Sequence, residues 1–500
     1  MKTPKEPPFL YKTFTELVGS WKNVGKTALI YSRNDVKMQL SYHELQERIL
    51  KESRRLAGAD ADPAPDGGIA SAPAAGLVSA PAADAVSMPA SGSRVLPLVM
   101  DHEPETLIRL FAAVLAGIDV IAADPSVPQE ILEQTAAAAA AECAADPTAG
   151  TVAAEYAADS VARVAAAAAS WDAAAAWEKS PGHVPEGRLL FYTSGTTNRS
   201  RAVILTGASL CCSAWSGQSM LPCGEGDILL SMLPLAHVFG FVCTLLWGLC
   251  YGASVALSRG VRHIFDDPAF FRPTILPLVP SMILPLLRFD ALPDSLRIVL
   301  VGAAPCPPET AAALNKKGIR VHTGYGLTET SSGLAISLDQ DDPLSLYPCP
   351  GADLAIEEDG EISVSTPAMM QGYLGEPSPF RNGRFYTGDL GSFDEKGRLH
   401  ITGRKKDMLV LSDGTKLYCP EREAALSALA GTEELAVAER SGRPVLIAGK
   451  GADPDAVRQA VDTLNKETPR STQITDIIFL EEKLPRTAVG KLMRYKLQGL

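Results

Sequence analysis

The apolar positions of this chain fall into short β-prone runs separated by stretches of helical period. "RVLPLVM", then "EPETLIRLFAAVLAGI", then "DVIAADPSVP" reads as strand, helix, strand, with Gly117 near the helix end. "LSYHELQERILKESRRL" (Leu40–Leu56) predicts a helix in which Leu45, Ile49 and Leu56 share a face. Ser41 and Glu44 make its capping box. From Gly187 to about Gly403 strands and helices alternate: "RPTILPLVP", "LRIVLVG" and "IRVHTGYG" are each a strand running into a loop. Such alternation predicts an α/β fold with ligand loops at the strand ends. A turn-rich β section follows. Beyond Arg404 a small terminal segment carries both strand and helix signals.

Two regions break the pattern. Residues 57–93 are rich in Ala, Pro, Gly, Ser and Asp and predict a disordered insertion or surface loop. Ala136–Ala176 is dominated by alanine, which favours helix but buries little area. A third stretch is ambiguous. "FGFVCTLLWGLCYGASVAL" (Phe239–Leu257) runs 19 residues without a charge, near the length of a membrane span. Its glycines instead suit a buried helix stopped at Gly252 and followed by a buried strand.

Composition narrows the function classes. At roughly 100–200 residues per domain, 500 residues predict two or three domains. Apolar residues make up 46% and charged residues 21%, as in soluble globular proteins. A net charge of −12 argues against nucleic acid as the main partner. Nine cysteines show no paired or metal-ligating spacing, and the first residues lack an apolar signal core. The expectation is a cytoplasmic protein with reduced thiols, no structural zinc and no transmembrane segment.

The chemistry concentrates in short motifs. "YTSGTTNRSRAV" (Tyr192–Val203) packs hydroxyls, glycine and two arginines between the runs "RLLFY" and "AVILT". Glycine lets successive N–H groups point into one concavity, which suits an anion. The flanking strands distinguish the loop from a Walker A motif, which opens a helix. Alone, such a run between strands is more often a solvated hairpin loop. In chain order follow "LPLAHVFG" (Leu233–Gly240), "VGAAP" (Val301–Pro305), "GYGLTET" (Gly324–Thr330), "FYTGDLG" (Phe385–Gly391), "TGRKKDM" (Thr402–Met408) and "LPRTAVGKL" (Leu484–Leu492).

Together, in this order, the seven motifs resemble the adenylate-forming superfamily of acyl- and aryl-CoA synthetases, luciferases and peptide-synthetase adenylation domains. The resemblance spans about Thr13 to Leu500 outside the two low-complexity regions. It implies a large N-terminal α/β domain (1–403), a hinge (404–406) and a small mobile α+β domain (407–500). It also implies ATP, Mg²⁺ and CoA. A carboxylate attacks the α-phosphate of ATP, and a thiol then displaces AMP from the acyl-adenylate.

Residue by residue, the resemblance makes Thr193, Ser194, Gly195, Thr196 and Thr197 a cradle for the β- and γ-phosphates. The family usually continues Gly-x-Pro-Lys-Gly. Here Asn198-Arg199-Ser200-Arg201-Ala202 follows, with Arg201 where lysine is usual. Gly302, Ala303 and Ala304 line the adenine and acyl slots. Tyr325 stacks on adenine, with Gly326 beside it in the nucleotide-binding set. Thr328 touches the α-phosphate and Glu329 is the Mg²⁺ ligand. Asp389 accepts the ribose hydroxyls and Arg404 contacts ribose or phosphate. Lys406 is the hinge, Lys491 the adenylation lysine, and Gly414 borders the thiol channel. His237 lies near the acyl pocket and thiol tunnel, with a core histidine as the plain alternative.

The resemblance leaves the acid open. No Asp occurs between Asp227 and Asp266 to hold an α-amino group, and "GYGLTET" has no tryptophan, unlike acetate enzymes. Apolar residues around the implied pocket favour a medium- or long-chain fatty acid. A ligase loading an acyl or aryl group onto a carrier-protein phosphopantetheine arm is the alternative. A catalytically weakened nucleotide-binding homologue is another.

Overall fold

The structure is a computed structural model that describes residues 10–57, 95–127, 129–145, 186–193, 201–411, 415–486 and 492–497. The expected insertion at 57–93 lies, apart from Ala57, outside the described residues. So does most of the alanine-rich region. The chain divides into two compact units. One comprises 1–192, 202–352 and 366–379; the other comprises 193–201, 353–365 and 380–500.

The first unit is built on two sheets. In chain order its strands are β1 (Thr27–Arg33), β2 (Val36–Ser41), β3 (Val95–Val99), β4 (Asp119–Ala123), β5 (Leu189–Tyr192), β6 (Ala202–Leu205), β7 (Ile228–Ser231), β8 (Ser254–Leu257), β9 (Ile275–Leu278), β10 (Ile298–Val301), β11 (Arg320–Leu327), β12 (Ser332–Ser337) and β13 (Leu346–Pro348). Strands β11-β10-β9-β7-β8-β1 lie parallel in that spatial order, extended by antiparallel β12 and β13 at one side and β2 at the other. Every residue of β9 and β10 is buried, because helices cover both faces of a parallel sheet. Leu276, Val299, Val301 and Val321 pack on one face; Leu229, Ile275, Ile298 and Leu300 pack on the other with Trp247.

In the second sheet β3, β4 and β5 are parallel, and β5 turns back antiparallel into β6. A short strand, Gly372–Tyr373, adds to the free edge of β6. The strand–helix–strand reading of residues 95–123 is met by β3, the helix Pro104–Leu115 and β4, with Gly117 at φ 74° after the helix. The capping box is present: the Ser41 side chain accepts from Glu44 N–H, and the Glu44 carboxylate accepts from Ser41 N–H at 2.8 Å. Leu45 and Ile49 are fully buried.

The uncharged stretch forms helix, turn and strand. Val238–Cys250 is helical, Gly252 adopts φ 77°, and β8 follows. No helix among the described residues is long and apolar enough to cross a membrane. What the pattern did not predict is the wider π-helical winding at Phe241–Leu246. The described cysteines are free thiols. Burial pushes Cys243 up to about 11 and Cys349 up to about 12, so both stay protonated and unreactive at neutral pH.

The second unit carries an antiparallel sheet of Asp353–Ile356, Glu361–Ser365, Phe385–Phe393 and Leu399–Arg404. A two-strand ladder, Met408–Val410 with Lys416–Tyr418, comes next in the chain. Strands Leu435–Arg440, Arg443–Ala448 and Ile477–Phe479 then form a small sheet. Leu426, Val437, Leu446, Val457 and Ile474 form a core between that sheet and the helices Cys419–Ala430 and Pro454–Lys466.

One buried hydrogen bond fixes the turn into β8. Tyr42, 1% exposed, donates its hydroxyl to Ala253 O at 2.6 Å. Tyr42→Phe leaves that carbonyl without this partner and is expected to lower unfolding stability by about 1–2 kcal/mol, measured by urea denaturation.

Candidate active site

Parallel strands end at one edge of a sheet, where loops are free to carry chemistry. In the first unit the register Val301↔Thr323 sets the loop after β10 beside the upper part of β11. Gly302 leaves β10 buried. A side chain there would meet the Phe239 ring at 2.6 Å, so only glycine fits. This contact brings the "LPLAHVFG" segment against "VGAAP". Ala303 follows in the left-handed region at φ 65°, and Ala303 and Ala304 are exposed.

β11 continues past β10 and pairs with β12 through a sharp reversal. At Gly326 a Cβ would lie 1.3 Å from Ser332 O, so the two backbones touch. The reversal is a single 3₁₀ turn, Thr328–Thr330, followed by Ser331 at φ 52° and Ser332 at φ 96°. Residues with side chains held in this region store backbone strain, which folded proteins concentrate at functional sites. The buried Thr330 hydroxyl, partnered with Leu327, helps hold the turn. Tyr325, Thr328 and Glu329 are half-buried on it.

Glu329 is not a bare loop acid. Its Oε1 accepts a hydrogen bond from the Tyr373 hydroxyl at 2.8 Å, and its backbone carbonyl accepts from Met370 N–H at 2.8 Å. Sequence reasoning missed Tyr373; its only signal was an aromatic after a Gly in "QGYLG". No group of three or more His, Cys, Asp and Glu suited to a metal occurs among the described residues. Glu329 as one hard oxygen ligand fits Mg²⁺, which takes few protein carboxylates and fills its shell with phosphate oxygens and water.

His237 keeps an exposed surface although part of its ring is packed against its neighbours. Desolvation of the ring lowers its pKa, opposed by the Asp124 carboxylate. His322 is the buried one. Its Nδ1 lies 2.8 Å from Ser337 O, so Nδ1 carries the proton, and Nε2 is left buried without a partner among the described residues. The hydroxyls of Ser231, Thr244 and Thr323 are likewise buried and unpartnered among the described residues.

In the second unit Asp389 is 3% exposed and forms an ion pair with Arg404 Nε at 2.8 Å across the antiparallel register. Lys405 Nζ binds Asp359 at 2.6 Å and Glu361 at 2.8 Å, and these carboxylates push its pKa up to about 12. Glu361 also accepts from Gly388 N–H at 2.8 Å, which positions the "TGD" turn. Lys406 is exposed in the 3₁₀ turn Lys405–Asp407. Gly403, at φ 154°, has no room for a side chain against the Tyr418 ring. Thr193 and Arg201 bracket the Ser/Thr/Gly loop and bond to each other: Thr193 N–H donates to Arg201 O at 2.9 Å, and Arg201 N–H donates to the Thr193 hydroxyl at 3.2 Å. Ser194, Gly195, Thr196, Thr197, Gly414 and Lys491 lie outside the described residues.

The histidines set a pH dependence. Burial lowers the pKa of both His102 and His322, with Arg320 adding to the effect at His322. The unfolded chain therefore binds protons that the fold resists, and stability rises with pH in that range. Thermal stability is expected to hold above pH 7 and to fall as pH drops below the ordinary histidine value of about 6.5. His322→Asn, which keeps a donor for Ser337, is expected to flatten the fall in a melting series from pH 7.5 to 5.

The sequence profile of the family described as "AMP-binding enzyme" matches residues 90–374. A 2-succinylbenzoate–CoA ligase of Bacillus licheniformis is 32% identical over 342 residues, covering 63% of this chain and 70% of the relative. Its counterpart in Bacillus velezensis is 33% identical, covering 62% and 68%. Among solved structures, the o-succinylbenzoate CoA synthetase of Bacillus subtilis in complex with AMP superposes with a TM-score of 0.71 at 20% identity, covering 98% of each chain. MatB of Rhodopseudomonas palustris, bound to ATP, superposes with 0.70 at 24% identity, covering 97% and 98%. These likenesses extend the shared α/β architecture over nearly the whole chain. The fatty-acid expectation finds no counterpart among these relatives, and neither does a carrier-protein acceptor. With the profile over more than half of its length and curated relatives above 30% identity, the chain belongs to the AMP-binding enzyme family.

Proposed function

We propose that this enzyme is an AMP-forming acid–CoA ligase that activates an aryl carboxylic acid of the succinylbenzoate class. The observation that carries the reading is the assembly, at one edge of the first unit's large sheet, of Gly302, Ala303, Tyr325, Thr328 and Glu329 on two adjacent strand ends. Small residues there leave space for a nucleotide, and a single carboxylate stands ready for its metal.

In this reading the acid's carboxylate attacks the α-phosphorus of ATP, forming the P–O bond of the acyl-adenylate and releasing pyrophosphate. Thr193, the following Ser194–Thr197 and Arg201 hold the β- and γ-phosphates, Arg201 by its planar fork. Tyr325 and Gly326 border the adenine, and Thr328 reaches the α-phosphate. Glu329 would hold Mg²⁺, which when bound would neutralise phosphate charge. Lys491 places an ammonium between carboxylate and α-phosphate, where negative charge concentrates in the transition state. Asp389, paired with Arg404 at 2.8 Å, accepts the ribose hydroxyls.

The thiolate of CoA then attacks the acyl carbon, forming the thioester and expelling AMP. Rotation about Lys406 replaces Lys491 with the Gly414 loop at the active site, so one site serves both half-reactions. His237 borders the acyl group. The names of the curated relatives support an aryl rather than an alkyl acid.

Two outcomes test the reading. Acid-dependent ATP–pyrophosphate exchange, before any thiol is added, is expected with 2-succinylbenzoate or a related aryl acid and not with fatty acids. Exchange with fatty acids alone would overturn the substrate class; ATP binding without exchange for any acid would favour a weakened nucleotide-binding homologue. Lys491→Ala is expected to lower exchange by more than 100-fold (about 3 kcal/mol of transition-state stabilisation) while sparing thioester formation from supplied acyl-adenylate.

A further inference from the structure

Tyr373 is 6% exposed, and a buried phenol hydroxyl needs a partner. It donates to Glu329 Oε1 at 2.8 Å. The rest of its segment is held independently of that bond. Gly372 pairs with Ile204 and Tyr373 with Val203; Gln371 N–H donates to Ile204 O, and Leu374 N–H to Ala202 O, both at 2.9 Å. One residue earlier, Met370 N–H donates to the carbonyl of Glu329 itself at 2.8 Å. The segment Met370–Leu374 is therefore fastened at one end to the backbone of the candidate metal ligand and along its length to β6. In sequence, β6 is the strand that leaves the Ser/Thr/Gly loop.

This arrangement restricts the carboxylate twice. The backbone bond fixes where Glu329 starts, and the phenol fixes where one of its oxygens ends. The other oxygen, Oε2, has no partner among the described residues, so one oxygen is oriented and the second is presented. A glutamate side chain has three rotatable bonds, and on a solvated turn it would spend little time in one orientation. The turn that carries it is already strained at Ser331 and Ser332, so backbone and side chain are both held.

We propose that Tyr373 is a positioning residue that aims the Glu329 carboxylate at the magnesium–nucleotide complex and ties that carboxylate to the strand leaving the phosphate loop. The inference rests on the function proposed above. It assigns Tyr373 no contact with the reacting atoms. Partners of this kind orient a metal ligand, and their loss typically weakens metal affinity by 10-fold or more.

Tyr373→Phe removes the hydroxyl and keeps the ring and the strand pairing. The test is calorimetric titration of the full-length protein with ATP across a magnesium series, a readout that needs no turnover. Wild-type protein is expected to bind ATP with a clear magnesium dependence. In Tyr373→Phe the half-saturating magnesium concentration is expected to rise about tenfold, with the melting temperature shifted by only a few degrees. In the background of Glu329→Gln, adding Tyr373→Phe is expected to change the magnesium dependence by less than twofold, because the group it aims has lost its charge.

An unchanged magnesium series in Tyr373→Phe, with or without lower stability, would overturn the inference and leave Tyr373 a packing residue. Full additivity of the two substitutions would overturn it as well. Wild-type ATP binding indifferent to magnesium would overturn the proposed function itself, and the inference with it.

Discussion

The contact of backbone with backbone at Gly326 and Ser332 is the constraint on which the site depends. Parallel strands cannot reverse within a few residues; antiparallel ones can. β11 is parallel to β10 on one side and antiparallel to β12 on the other, so the chain must turn back where the parallel sheet ends. Only a residue without a side chain admits the Ser332 carbonyl so closely. The tightness of that reversal puts Thr328 and Glu329 on one short turn at the sheet edge, and the left-handed residues beyond it bear the strain. Phe239 filling the space under Gly302 does the same for the neighbouring strand. In both places a missing side chain decides where the atoms of the candidate site stand.

Much of this was legible along the chain. Strand-then-loop runs ending in proline or glycine announced β9, β10 and β11; β9 and β10 are apolar throughout because both faces of the parallel sheet are covered there. The capping box at Ser41 and Glu44 and the stop at Gly252 were legible for a local reason: each is settled by residues within one turn. The seven motifs pointed to the family for a different reason, since their order along the chain carries information that no single motif holds.

What escaped the reading was non-local or a matter of helix winding. Tyr373 lies 44 residues from Glu329, and only the pairing of its short strand with β6 brings the hydroxyl to the carboxylate. Likewise, Glu361 reaches Gly388 and Lys405 through sheet register. The π-helical turn at Phe241–Leu246 has no marker in an apolar run, where every residue suits burial on any face. The fatty-acid expectation rested on the apolar residues around the implied pocket. Hydropathy does not reveal that the buried hydroxyls of Ser231, Thr244 and Thr323 have no partner among the described residues.

The stretch from Arg404 to Asp407 is held in an unusual way. Arg404 pairs with Asp389, Lys405 with Asp359 and Glu361, and Asp407 with Arg494, which also grips Glu423. Charge, more than apolar packing, fastens this turn within the second unit. Apolar packing carries no charge for salt to screen, whereas exposed pairs are screened over about 8 Å at physiological ionic strength. The Lys405–Asp359 contact is open to solvent and loosens first; Glu361, 9% exposed, and Arg494, 19% exposed, are shielded. Dissolved ions thus act on this turn unevenly, weakening its outer tether while the inner ones keep the chain in register.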